Sequence, residues 1–249
     1  MNIGIITGAS SGMGKYFAIY ALQFFPDLDE LWLVGRNMNR LVQTSRKIHI
    51  KTRIFAIDLA NENELMLLKN TVINENPDIK LLVNCAGLGY IGRFDDMSSD
   101  DNLNMIDVNV RALTQILSIS IDYMIPGSHI INLASAAAFI PQPEFAVYAA
   151  TKSYVLSLST ALNRELKKKR IYVTAVCPGC VNTPFFDVAE KYNKIKKFKK
   201  IFMAKDKNVV KKALWDARKR KSISVYGNSM NIFRILCKIL PEKIILMFI

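Results

Sequence analysis

Tyr148 and Lys152 stand four residues apart, a spacing that puts both side chains on one face if the segment is helical. A phenol titrating near 10 is a sluggish base. An ammonium group beside it lowers that value and makes proton exchange with a substrate oxygen easier. Ser135 lies 13 residues before the tyrosine, at the end of an apolar run. Its hydroxyl suits the orientation of a reacting oxygen, a positioning and electrostatic task. Each residue also has an ordinary reading. A Tyr/Lys pair at this spacing is common on exposed helices, and Ser135 equally fits a plain strand-end hydroxyl.

A second constellation lies near the start of the chain. Thr7-Gly8-Ala9-Ser10-Ser11-Gly12-Met13-Gly14 follows an apolar run and opens an amphipathic one. Glycines let a backbone turn sharply and approach a pyrophosphate. The helix that follows offers free N–H groups and a partial positive charge. The context of strand, turn and helix favours dinucleotide binding over a simple tight turn.

These groups need a scaffold, and the hydrophobic pattern supplies one. Strands are predicted at Ile3–Thr7, Leu31–Val34, Thr52–Ile57, Leu81–Asn84, Ser128–Ala134 and Tyr172–Cys177. Several are apolar on both faces, as in a two-sided parallel sheet. Helical stretches fall between them, near 12–25, 38–47, 61–75, 101–124 and 146–168. The alternation predicts an α/β fold: a doubly wound parallel sheet in three α/β/α layers, forming a single domain over residues 1–249. After Pro178 the pattern turns irregular and basic. Residues 185–230 are read as a substrate loop and cap over the sheet edge, and 231–249 as an amphipathic tail.

The chemical residues fall at the ends of these strands, in the order of a known family. T-G-x-x-x-G-x-G in the first turn, Asn84-Cys85-Ala86-Gly87 after the fourth strand, Asn109 in the next helix and Ser135 after the fifth strand are four pieces. Tyr148-Ala-Ala-Thr-Lys152 and Pro178-Gly179-x-Val181-x-Thr183 are two more. Over roughly residues 1–185 the chain resembles the short-chain dehydrogenase/reductase family, a Rossmann fold. Cys85 departs from that family's usual asparagine, which removes one polar contact. The resemblance implies hydride transfer between a nicotinamide and a carbonyl or secondary alcohol. It implies Tyr148 as acid/base and Lys152 as the group that lowers its pKa and holds the nicotinamide ribose. Ser135 would orient the oxygen, and Asn109 would support a water relay. Thr7, Gly8, Ser10, Ser11, Gly12, Met13, Gly14, Asn84, Ala86, Gly87, Pro178, Gly179, Val181 and Thr183 would line the cofactor, with Asp58 and Leu59 at the adenine. Homodimers or homotetramers are common in the family.

The second strand ends Gly35-Arg36-Asn37, where NAD enzymes commonly place an acid for the ribose 2′-hydroxyl. An arginine there pairs with a 2′-phosphate instead, so NADP(H) is expected over NAD(H), with Asn37 beside it. The plainer alternative is that Arg36 caps the loop and faces solvent.

Composition bounds the rest. The 249 residues are 51% hydrophobic and 22% charged, which excludes a disordered or cysteine-rich secreted chain. Two histidines, His49 and His129, make a zinc enzyme built on histidines a poor fit, and no metal is expected. The net charge of +13 is concentrated: residues 191–221 hold 14 Lys/Arg against two acids, and the rest of the chain 20 against 19. No nucleic-acid motif accompanies that charge, so an anionic lipid surface or an acidic substrate is the expected partner, beside a solvated face as the plain reading. Four cysteines and no secretory leader point to the cytoplasm. Cys177-Pro-Gly-Cys180 is formally a redox spacing, but coincides with the family's Pro-Gly turn.

In the tail, Ile232, Phe233, Ile235, Leu236, Ile239 and Leu240 recur at helical spacing, with Arg234 and Lys238 off the stripe. The stretch is too interrupted to span a bilayer. It fits packing on the body, a subunit contact, or peripheral attachment to the inner membrane surface. Phe185, Phe186, Tyr192, Phe198, Ile201, Phe202 and Met203 make the substrate loop apolar, which points to a lipophilic, steroid-like or fatty, carbonyl or alcohol. A 3-oxoacyl thioester reductase, docking an acidic carrier on the basic segment, is the alternative enzyme. A non-catalytic NADP-binding protein at a membrane surface is the alternative of another class.

Overall fold

The computed structural model describes residues 1–194 and 203–247. Phe198, Ile201 and Phe202 of the expected substrate loop lie outside them.

Strands β1 (Asn2–Thr7), β2 (Glu30–Gly35), β3 (Lys51–Ala56), β4 (Asp78–Asn84), β5 (Met124–Leu133), β6 (Tyr172–Val176) and β9 (Ile223–Ser224) form one sheet. Its order is β3-β2-β1-β4-β5-β6-β9, and every pairing is parallel. The order reverses beside β1, so β1 and β4 diverge into opposite halves and open a crevice at their carboxyl ends. Two short strands, β7 (Val181–Asn182) and β8 (Ala204–Lys205), pair separately.

Strand alternation sorts the core into two layers. Ile3, Ile5, Trp32, Val34, Leu82 and Ile130 face one cluster. Ile6, Leu31, Leu33, Leu81, Val83 and Ile131 face the other. Helices α3 (Glu62–Glu75), α5 (Leu113–Ile121) and α6 (Ala146–Glu165) cover the first; α1 (Gly12–Phe24) and α2 (Met38–Ser45) cover the second. Every such side chain withdrawn from water contributes about 1.5–3 kcal/mol, so both faces drive the sheet to a fixed register. Between α4 (Ser99–Ile106) and α5 the helix widens into a π-helical turn, Asp107–Ala112, which carries Asn109. Such turns displace the backbone by one residue and are common at functional sites.

One expectation is corrected here. Part of the segment read as a cap belongs to the fold itself. Helix α8 (Asp206–Arg218) buries Val209, Val210, Ala213, Leu214 and Ala217 and packs on α1. Strand β9 then extends the sheet. The buried Asp216 binds Lys212 and Lys221, and the Ser224 hydroxyl donates to it at 2.8 Å, pinning β9 to α8. The apolar stripe is obscured in sequence by interleaved lysines, and β9 is only two residues long.

After β9 come α9 (Asn228–Ile239) and α10 (Glu242–Leu246). Among the described residues, no helix is long and apolar enough to cross a membrane.

Candidate active site

The first turn is shaped by its glycines. Gly8 has φ +69°, and a Cβ on it would stand 3.0 Å from the Ala86 nitrogen. A Cβ on Gly14 would be 2.2 Å from the Gly8 carbonyl oxygen, so the helix can start this close to the turn only without a side chain. Ser11 is the N-cap of α1 yet makes no side-chain capping bond. The first N–H groups of α1 are thereby left to an incoming anion. The Thr44 hydroxyl donates to the Ala9 carbonyl at 3.1 Å and Ala9 N–H to Val34 at 3.1 Å, which hold the turn against β2 and α2. Across it, Thr183 lies beside Gly12, and Ser10 lies beside Gly35. The cradle fits a dinucleotide pyrophosphate.

Several expected cofactor residues also brace the fold. Thr7 is buried; its hydroxyl donates to Val83 and accepts from the N–H groups of Cys85 and Ala86, both at 3.0 Å. It thus fixes the Ala86-Gly87 turn. Asn84 donates to Asn132 Oδ1 at 2.9 Å, and Asn132 donates to Ser159 at 3.0 Å, a buried polar chain from β4 through β5 to α6. Asn37 caps α2, accepting from the Arg40 N–H at 3.0 Å. An asparagine just before a helix is the sequence signal for that role. Leu59 is buried in the core, and Met13 packs at its edge. Pro178 accepts from the Ala136 N–H at 2.8 Å, Val181 is buried in β7, and Gly179 rests against Met230.

Just after β2, the Arg36 side chain is 69% exposed, with one nitrogen 3.9 Å from Asp58. Asp58 also accepts from the Ala60 N–H at 3.0 Å.

The catalytic candidates converge at the carboxyl ends of β4 and β5. Tyr148 is 8% exposed and Lys152 is 3% exposed. Lys152 Nζ donates to the Leu133 carbonyl at 2.8 Å and lies 5.6 Å from the centre of the Tyr148 ring. Ser135 Oγ accepts from the Ala137 N–H at 3.1 Å and acts to lower the Tyr148 phenol. Asn109 clamps the Leu88 backbone, accepting from its N–H at 2.8 Å and donating to its carbonyl at 2.7 Å, and donates to Thr151 at 3.0 Å. Gly87 sits between Lys152 and Asn109.

Burial dominates the electrostatics of the pair. It pushes the Tyr148 phenol up to about 12, while the Ser135 hydroxyl pulls the other way. Burial likewise presses the Lys152 amine down to about 8. Phe145 stacks on Tyr148, and Phe185 of α7 (Phe185–Ala189) tilts against it at 5.6 Å. The Asp101 carboxylate binds both Lys191 and Tyr192, tying the segment after α7 to α4.

His129 is buried between Phe25 and Tyr172, and burial lowers it to about 4, as befits a core residue. Cys177 and Cys180 carry thiols rather than a disulfide.

Residues 2–194 match the short chain dehydrogenase family. The chain belongs to the short-chain dehydrogenase/reductase family. It is an oxidoreductase with a Rossmann-type sheet. An uncharacterized oxidoreductase of Staphylococcus epidermidis is 32% identical over 185 residues, 74% of this chain and 79% of that protein. A short-chain dehydrogenase from Sphingobium yanoikuyae, solved with NADPH, superposes with a TM-score of 0.79 at 25% identity, covering 97% of this chain and 96% of that one. A 7beta-hydroxysteroid dehydrogenase shares the fold at a TM-score of 0.82 and 18% identity, covering 99% and 96%.

Proposed function

We propose that this member of the family is an NADP(H)-dependent oxidoreductase acting on a lipophilic, steroid-like or fatty, ketone or secondary alcohol. The observation that carries the reading is the meeting of Ser135, Tyr148 and Lys152 in one buried site beside the glycine turn. NADP(H), when bound, supplies or accepts the hydride. The turn from Gly8 to Gly14 and the α1 N-terminus hold the pyrophosphate, and Arg36 pairs with the 2′-phosphate.

Tyr148, protonated at neutral pH, donates its hydrogen to the substrate oxygen as charge develops there. Ser135 donates a second hydrogen bond to that oxygen and fixes its position. Lys152 adds positive charge behind the phenol and steadies the Leu133 end of β5, while Asn109 holds the 87–88 backbone beneath the site. The rings of Phe145 and Phe185 exclude water and favour an apolar substrate. NADPH-bound Sphingobium dehydrogenase supports the cofactor choice, and the exposed Arg36 carries it in this chain.

The 14 bases of residues 191–221 favour one second reading, a 3-oxoacyl thioester reductase that docks an acidic carrier. Carrier docking weakens as salt rises, whereas a free ketone is insensitive to it. A cytoplasmic homodimer or homotetramer, with peripheral contact to the inner membrane surface, completes the proposal. The decisive experiment is turnover of lipophilic ketones with NADPH. Wild-type turnover lost in Tyr148→Phe with cofactor affinity retained supports the reading. Turnover that survives the change sinks the mechanism, and a wild type that binds NADPH without any turnover returns the chain to the pure binder.

A further inference from the structure

Helix α9 has two apolar faces. Met230, Phe233 and Cys237 recur at helical spacing and are half-buried. Phe233 meets the Phe139 ring at 6.4 Å, and Met230 seats its sulfur over Gly179. This face holds the helix to the body, just beyond Ser135. The opposite face carries Ile232, Ile235, Leu236 and Ile239 at i, i+3, i+4 and i+7, and these are 58%, 51%, 43% and 72% exposed. Ile244 and Met247 of the following turn are exposed too. Isolated exposed aliphatics need no explanation, but a continuous stripe does.

Beside α10 lies an open groove of about 390 Å³, within the size range of small-molecule sites. Phe139, Ile140, Pro141 and Ala150 line it, and Leu246 of α10 borders it. Its floor is α6, the helix that presents Tyr148 and Lys152 on another side.

The charges around the stripe indicate the occupant. Arg234 is half-buried on the body side near Cys177, and the charges of residues 228–247 on the open side are Lys238 and Lys243 against the acid Glu242. Lys238 and Lys243 are exposed. A two-fold contact between copies would set this basic rim against itself, because such interfaces are self-complementary. An anionic bilayer meets the aliphatic stripe with its hydrocarbon boundary and the bases with its headgroups.

We propose that the outer face of α9 and the start of α10 dock on an anionic lipid surface, with the neighbouring groove facing the acyl region. The proposal deepens the peripheral contact given above and rests on that reading of location, not on the catalytic one. Docked this way, the enzyme faces the lipid with the groove whose floor is the catalytic helix.

The test is vesicle flotation of the full chain at low salt, with vesicles containing phosphatidylglycerol and with pure phosphatidylcholine. The wild type floats with the anionic vesicles and binds phosphatidylcholine at least about tenfold more weakly. Ile235→Ser with Ile239→Ser, and separately Lys238→Glu with Lys243→Glu, each lower anionic-vesicle binding at least about tenfold while the circular dichroism melt is retained. These positions are exposed, so folding does not depend on them. A wild type that stays in the supernatant overturns the proposal, as do variants that float like the wild type. So does a serine variant that changes solution mass from oligomer to monomer, which assigns the stripe to a second copy. Ketone turnover, measured in parallel without vesicles, keeps this outcome separate from the catalytic reading.

Discussion

The Phe145 ring stacks on the Tyr148 ring, with 4.2 Å between centroids and 18° between planes. The contact is both a wall of the substrate site and a source of the burial that holds the phenol at about 12. Phe145→Ala opens that wall. The Tyr148 titration then moves down toward its ordinary value of 10. The measurement is a tyrosinate absorbance titration, taken as the difference from the same variant carrying Tyr148→Phe. An unchanged titration refutes the role of the stacked ring in desolvation.

Tyr148→Phe removes the proton donor while leaving the ring stack in place. Turnover falls by about a hundredfold or more. NADPH affinity, followed through quenching of Trp fluorescence, changes little.

Arg36 is the exposed cation at the end of β2, with Asp58 as its nearest carboxylate at 3.9 Å. Arg36→Asp raises the NADPH Kd by about tenfold or more, since a charge-assisted contact is replaced by repulsion, and harms NADH less. Asp58→Asn keeps the oxygen that accepts from Ala60 but removes the rival charge. It tightens NADPH about twofold. Equal losses for NADPH and NADH in Arg36→Asp would show that no 2′-phosphate is read there.

The buried Lys152 sets a pH dependence of stability. Its folded value of about 8 lies below the ordinary 10.5. Between those values the unfolded chain binds more protons than the native one, so the lysine's contribution grows more favourable as pH rises. Lys152→Met lacks this term. Relative to the variant, the wild type gains stability from pH 8 to pH 10.5, at a slope of up to about 1.4 kcal/mol per unit. Urea denaturation of both proteins across that range reads the slope, and parallel curves would contradict the burial of an ionisable amine.

Asp101 gathers Lys191 and Tyr192 on one carboxylate. The segment is also stitched at Ile91, whose N–H donates to the Ala189 carbonyl at 2.8 Å. Asp101→Ala frees the segment that carries Phe185 over Tyr148. Amide exchange over 185–192 rises at least about tenfold, with the global melt nearly unchanged. Unaltered exchange would mean that the backbone bond alone holds the segment.

The sequence by itself determined the parallel sheet, because strands apolar on both faces have few other solutions. Tyr148, Lys152 and Ser135 were legible because their spacing and strand-end positions are local properties. Family membership followed from the same motifs. What the tertiary structure decided are the relations between distant segments. Thr7 and Asn84 became braces because the bonds they make run between strands. Asn109 clamps Leu88 across 21 residues. Phe185, at the head of α7, closes over Tyr148 from 37 residues away in sequence, and burial raises the phenol. Helix α8 was hidden by its lysines and strand β9 by its two-residue length, since burial of a basic helix depends on which face finds α1. Local spacing states which groups are available; only the packed chain states which of them meet, and how far they are withdrawn from water.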